Sequence, residues 1–448
     1  AAVYERDSHY PESIYFSPDA LWKQISELTR NVLDKIGEVE ITAITATSQR
    51  EGIVVMDKQG NSLLGMPNID HRGREWESII QDKNVVYRLT GRYPTSLFSA
   101  LKLVGLKQRL PEIWNQVYTF TSISDWAQFK LSGIVGYEHS QASETLLYDV
   151  AGKQWSDALC NVFDLDTKLL PPLHSCGTIL GNILPNIASD LNISPRAQII
   201  VGGSDTQLAI MSMCPSVQDV VIVSGTTTPI IKISDQYVLD EKQRTWTGRH
   251  TDASNFLLEA NAGVTGLNYQ RLKEIFYPNE DYDVIEAEVA AVTNAECVAA
   301  LGSLLADEKS PLIRGGFIFN TPVSHQLTRG HFVFATLWDI ACSIFENYKS
   351  LSQVSPHEED EIRACGGGVQ SRILRQFLAN LLQKKVVILD NYRQASVVGG
   401  VFACNNALGE TSVLPKVLDE VLPENSGTHE IWYTQWKQTR STFKSAQA

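Results

Sequence analysis

The chain has 448 residues, 43% of them hydrophobic and 20% charged, enough for two or three packed cores at roughly 100–200 residues each. Its net charge is −13, and no basic stripe is available to neutralise a phosphate backbone, which argues against nucleic acid and anionic membrane surfaces as partners. Seven widely spaced cysteines without a CxxC pair fit neither a disulfide framework nor a zinc knuckle and predict a reduced, cytosolic protein, while no apolar run reaches the ~18 residues of a membrane span.

The opening AAVYERDSHYPES lacks an initiator Met, a basic n-region and an apolar h-region, so we expect no signal peptide and read the chain as entered in mid-domain. Ser17, Pro18 and Asp19 supply an N-cap, a first-turn proline and an early acid. Leu21, Ile25, Leu28, Val32 and Ile36 then recur at helical spacing as far as Gly37. Residues 39–47 read as a strand, SQREG as the turn after it, and residues 53–56 and 62–65 as a hairpin around Lys58-Gln59-Gly60-Asn61. Helical patterns follow over 74–81 and 124–131, with an amphipathic stretch over 96–106 between them, and a buried-type strand over 198–201. This alternation predicts the α/β class. Cys214-Pro215-Ser216 interrupts the pattern before a second strand-rich opening at 219–234, so the expected domains are residues 1–213 and 214–448, facing each other across a cleft.

Five segments could carry chemistry. In Ser48-Gln49-Arg50-Glu51-Gly52 an amide, an arginine fork and a carboxylate stand side by side after a strand, a set able to hydrogen-bond neighbouring sugar hydroxyls; a solvated surface pair is the alternative. Asn68-Ile69-Asp70-His71-Arg72 is a similar cluster, and Asp70 with Arg72 reads as an ordinary ion pair. Val201-Gly202-Gly203-Ser204-Asp205 ends a strand with a carboxylate facing any crevice there; Asp205 could take a proton from a hydroxyl or simply cap the next helix. Gly225-Thr226-Thr227-Thr228 offers N–H groups and hydroxyls at a hairpin tip, suited to phosphate oxygens or serving only as a turn. The glycine run Cys365-Gly366-Gly367-Gly368-Val369-Gln370-Ser371, which we read as following a charged helix, precedes an amphipathic helix at 373–382. It lets a ligand lie on the backbone or is a plain loop, and it is neither a P-loop nor GxGxxG. The nine histidines include no HExxH and no i,i+4 pair, so no dedicated metal site is expected, and there is no GxSxG elbow.

The order of these segments, from SQREG through ISDW with LSG, GGSDTQ, SGTTT and TGLNYQRLKE to GGGVQSRILRQ with ASVVGGVFA, resembles that of the FGGY carbohydrate kinases, members of the actin-like ATPase superfamily, over nearly the whole chain. Within the family, of which autoinducer-2 kinase and xylulokinase-like members are the nearest in pattern, SQREGIVV, NIDHR, VYRLTG, ISDWAQFKLSG and GGSDTQL are most similar to autoinducer-2 kinase, and Arg50-Glu51 takes the place of a Met-His pair in xylulokinases. Arg50-Glu51 also resembles the substrate pair of glycerol kinases, although Leu97 stands where those place a tyrosine, and FIFNTPVSHQLTRG departs from the family's Pro-rich, Gly-Glu-Arg pattern. The resemblance implies two ribonuclease-H-like domains flanking a nucleotide cleft, the first holding sugar and the catalytic base, the second holding nucleotide. It implies ATP and Mg²⁺ as cofactors, a small sugar, polyol or ketose-like substrate of autoinducer-2 or pentulose type, and, at family level, a homodimer. By the same resemblance Asp205 is the base, Gln49, Arg50, Glu51, Thr206 and Gln207 surround the sugar, and Thr226, Thr227, Gly266, Gly367 and Gly368 meet ATP. The family's first strand and DxGT-type turn, whose acid helps hold Mg²⁺, would precede residue 1. The alternative expectation is a nucleotide- and sugar-binding regulatory protein that transfers no phosphate.

Overall fold

A computed structural model describes residues 3–252, 254–294, 296–308, 310–424 and 427–446. The first helix, Pro18–Ile36, starts where its sequence says it should: the Ser17 hydroxyl accepts from the Ala20 N–H at 3.2 Å, and Gly37, at φ 78°, ends it. Leu21 and Ile25 pack beside Trp126, whereas Leu28, Val32 and Ile36 stay exposed.

In the N-terminal half, the strand Gln198–Ser204 lies at the centre of a three-stranded sheet, parallel to Ala43–Ser48 and antiparallel to Ile179–Asn182. The register pairs Ser204 with Ser48, so the two parallel strands end together. That pairing sets Gln49-Arg50-Glu51 and Asp205 side by side. A second sheet places Ile53–Met56 between Ser62–Met66 and Thr119–Ser122, all antiparallel, as the hairpin pattern predicted.

The C-terminal half is built on seven strands in the order 246–249, 256–264, 227–234, 220–223, 361–365, 385–389, 417–421. Val220–Val223 and Thr227–Ser234 form the expected hairpin. Val220–Val223 also runs parallel to Glu361–Cys365, with Val223 opposite Cys365, so the Ser224-Gly225-Thr226 and Gly366-Gly367-Gly368 turns leave the sheet next to one another. The long helix Arg329–Val354 and the helix Arg372–Leu382 cover this sheet and share its apolar core.

Three expectations need correction. The glycine run follows a strand, Glu361–Cys365, and not a charged helix: the preceding helix ends at Val354, Pro356 bars its continuation, and Ile362 and Ala364 are buried between parallel neighbours. Residues 74–81 contain only a short 3₁₀ helix, Arg74–Ile79. The strand predicted over 198–201 runs on to Ser204, because Gly203 and Ser204 still pair with Thr47 and Ser48.

Packing and hydrogen bonds stitch the halves together on both sides of the molecule. Helix Asp205–Ser212 packs on helix Ala395–Leu408, and the Ser396 hydroxyl donates to the Asp205 carbonyl at 2.8 Å. On the other side the edge strand Trp246–Arg249 docks on the N-terminal half: Thr247 N–H donates to Gly91 O at 2.9 Å and Arg249 Nε to Val150 O at 2.8 Å, while Phe256 enters that half's core. All seven cysteines are free thiols, and among the described residues no helix is long and apolar enough to cross a membrane.

Candidate active site

Between the halves lies a cavity of about 640 Å³, within the range of small-molecule sites. Gln49, Arg50, Glu51, Asp205 and Thr206 line it from the N-terminal side, and Thr227, Glu259 and Asn261 from the C-terminal side. Arg50 and Glu51 are buried, at 8% and 7% exposure, which disposes of the solvated-pair alternative. Glu51 takes φ 60°, a left-handed conformation that turns the chain sharply after the strand.

Arg50 reaches across the cavity. Its Nη1 and Nη2 donate to Glu259 Oε2 at 2.6 Å and Oε1 at 3.0 Å, and its Nη1 stands 3.7 Å from Glu144 Oε1. Arg92 Nε donates to the same Glu144 at 3.0 Å, so two guanidiniums and two carboxylates form one buried network. Its charges offset one another, as buried ions require. Glu51 lies outside these pairs, and burial pushes its carboxyl well above the usual range against the pull of Arg50. Gln49 Nε2 is buried with no hydrogen-bond partner, an orphaned donor on the cavity wall.

Asp205 is the first residue of its helix. Its Oδ1 accepts from the Thr206 N–H at 2.7 Å and from Thr206 Oγ1 at 3.3 Å. Burial raises the Asp205 carboxyl, while Arg50 and the Thr206 donors hold it down. Gln207, expected beside the sugar, is not among the lining residues, because its Oε1 accepts from the Ser204 hydroxyl behind the helix start.

The residues expected to meet ATP gather around the second hairpin. Thr226 O accepts from the N–H groups of Thr265, at 3.2 Å, and Leu267, at 3.4 Å, which bracket Gly266. Gly368 N–H donates to Ser224 O at 2.9 Å. Gly366, at φ 95°, makes the turn that brings the glycine run against Ser224, a conformation only glycine adopts cheaply. Above Gly367 a side chain would meet nothing within 4 Å, leaving bare backbone facing open space. Thr227 belongs both to this cluster and to the cavity wall.

Sequence reasoning passed over Asn68 and His71, which line the cavity, although the NIDHR cluster that holds them was noticed. Their neighbours do as expected: Asp70 and Arg72 pair at 2.8 Å, buried, and bind the backbone of Ile14. Glu259 was missed as well, yet a lone acid in the apolar strand Phe256–Val264 is a readable signal. Among the described residues no group of three or more His, Cys, Asp or Glu is placed to hold a metal ion.

Two α/β halves meet at a cavity lined from both sides, and Thr227 joins its wall to the cluster of glycine turns, a two-domain cleft architecture. The profile of the FGGY family of carbohydrate kinases, N-terminal domain, matches residues 3–212, and that of its C-terminal domain matches residues 220–408. Bacillus subtilis YoaC, whose name places it with the sugar kinases, is 48% identical over 447 residues, covering 99% of this chain and 92% of its own. The autoinducer-2 kinase of Salmonella paratyphi B is 24% identical over 458 residues, covering 95% and 86%. The crystal structure of a ligand-bound xylulose kinase from Lactobacillus acidophilus superposes with a TM-score of 0.81 at 17% identity, covering 99% of this chain and 91% of that one. The chain belongs to the FGGY family of carbohydrate kinases, phosphotransferases that act on a sugar with ATP.

Proposed function

We propose that the chain transfers the γ-phosphoryl group of ATP to a hydroxyl of a small sugar, polyol or ketose-like compound, with Asp205 as general base. The observation that carries this reading is the meeting at one cavity of Asp205, Gln49 and Glu51 with Thr227, which belongs to the hairpin where Thr226, Gly266, Gly367 and Gly368 converge. An autoinducer-2-type compound or a pentulose is the favoured acceptor, by similarity to relatives named for those substrates.

In this mechanism the orphaned Gln49 Nε2 donates to an acceptor hydroxyl and Glu51 faces another. Arg50, its fork occupied by Glu259, orients these groups and keeps Asp205 ionised. Asp205 takes the proton of the attacking hydroxyl as the new O–P bond forms and the bond to the ADP oxygen breaks. Thr226, Thr227 and the exposed backbone at Gly367 hold the phosphates and nucleotide, a fit that the open space above Gly367 supports. Mg²⁺ would supply charge neutralisation when bound with ATP. Packing of the two halves around the reacting atoms excludes water. The working form in this reading is a cytoplasmic homodimer, and a monomer in sedimentation velocity would reject the dimer.

The deciding experiment is ADP release with Mg-ATP across autoinducer-2 precursor, xylulose, ribulose, erythritol, glycerol and gluconate. Stimulation by one compound, lost in Asp205→Asn, is the expected result. Silence with every compound overturns the reading.

A further inference from the structure

One wall of the cavity comes from residues 301–308, and it differs in chemistry from the wall that carries Asp205. Leu304, Leu305 and Ala306 of this segment face the cavity together with Leu97, Trp246 and Pro311. The segment is fastened from behind. Arg440, on the helix Thr428–Ser445, donates through Nε to Glu308 Oε1 at 2.8 Å, and through Nη2 to Glu308 Oε2 at 2.8 Å and to Ser303 O at 2.6 Å. Trp436 on the same helix donates to Asp339 Oδ1 at 2.7 Å, and the other oxygen of Asp339 accepts from Leu301 N–H at 3.2 Å. Asn347 grips the middle of the segment, donating to Leu304 O at 2.8 Å and accepting from Ala306 N–H at 3.1 Å. The helix that bears Arg440 and Trp436 lies beyond residue 408, where the match to the family ends.

Charge is distributed as unevenly as polarity. Glu51 and Asp205 present carboxyl groups to the cavity, the Glu308 carboxylate being taken up by Arg440 and Lys444, whereas both lining arginines are engaged: Arg50 with Glu259, and Arg244 with Asp240 at 2.8 Å and Asp307 at 2.7 Å. An anionic acceptor would meet acids with neither guanidinium free to receive it, a desolvation cost without compensation. A hydroxyl pressed against Leu304 and Leu305 would likewise lose its water partners and gain none.

Resting on the phosphotransferase reading above, we propose that residues 301–308, clamped by Arg440, are the specificity wall of the acceptor site, and that they select an uncharged polyhydroxy compound with one apolar end. Arg440 touches no substrate and acts as a positioning residue.

The test compares D-xylulose, 1-deoxy-D-xylulose and D-gluconate by ADP release, and by calorimetric binding without ATP, in the wild type, Arg440→Gln and Leu304→Asn. The wild type should favour the deoxy compound over xylulose by about tenfold, the usual worth of one apolar group in a fitted pocket, and ignore gluconate. Both variants should bring that ratio towards one while the KM for ATP stays within about twofold, a split that a merely structural role would not produce. Leu304→Asn leaves the clamp intact, so it decides the matter even if Arg440→Gln fails to fold. Preference for gluconate, or a deoxy-to-parent ratio that neither variant moves, overturns the proposal. If no compound releases ADP, the kinase reading fails and binding alone decides this one: tighter binding of the deoxy compound supports it, and tighter gluconate binding or no neutral binding overturns it.

Discussion

Asp205 is held between two opposing influences, burial that disfavours its charge and an arginine and helix start that favour it. Asp205→Asn should lower kcat by about 10²–10⁴-fold with nucleotide and acceptor affinities nearly unchanged, the signature of a group needed in the transition state. Because the base must be ionised and its pKa is raised, the acid limb of kcat/KM against pH should fall above the ordinary aspartate value. An acid limb at or below that value would remove Asp205 from the role. Stability follows with opposite sign. A carboxyl whose folded pKa exceeds its unfolded one supports the fold fully below the unfolded value and loses that support as pH rises through the folded value, so the Asn variant should melt higher than wild type at neutral pH. Gln49→Leu offers a second such separation. Removing a buried donor that has no partner should keep or raise the melting temperature, since such a group costs ~1–3 kcal/mol, while the acceptor KM rises. A lowered melting temperature with an unchanged KM would place Gln49 outside the site.

At the scale of elements, the site depends on two strand pairs that end in register and on one helix pair. Ser48 opposite Ser204 and Val223 opposite Cys365 bring four loops to the edges of two sheets, where parallel strands deliver their following turns to a common crevice. The helix pair sets the angle of the Asp205 helix. A Cβ at Gly399 would stand 2.0 Å from the Leu208 carbonyl, so the two backbones touch there and only glycine fits. Gly399→Val should destabilise the chain by about 1–3 kcal/mol in urea unfolding and lower kcat more than it raises KM, because the displaced helix carries the base. Unchanged kcat with the expected loss of stability would show that Asp205 is positioned independently of this contact.

Across the whole molecule, the Arg50–Glu259 pair links the halves through the cavity, joining residues 209 positions apart. Glu259→Gln would leave a buried guanidinium with Glu144 3.7 Å away as its remaining counter-charge, and breaking such a pair costs about 3–5 kcal/mol. We expect a lower melting temperature together with a raised acceptor KM; if neither moves, the pair does not couple the halves. Local pattern foretold much of this architecture: Ser17 and Pro18 start a helix, Lys58 to Asn61 turn a hairpin, and the glycines after Val201 and Cys365 mark turns, because caps and turns are decided within a few residues. The strand before Gly366 was misread because its charged approach, His357 to Glu361, resembles an exposed helix until parallel neighbours bury Ile362 and Ala364. Most elements and the order of motifs are legible in short-range chemistry and spacing, and the family in the resemblance those motifs carry; the strand Glu361–Cys365 and the short 3₁₀ turn Arg74–Ile79 are not. That Arg50 turns to Glu259, that Gln207 turns away from the cavity, and that Asn68, His71 and residues 301–308 wall it follow from the fold alone, since burial and charge pairing depend on which distant segments it brings together.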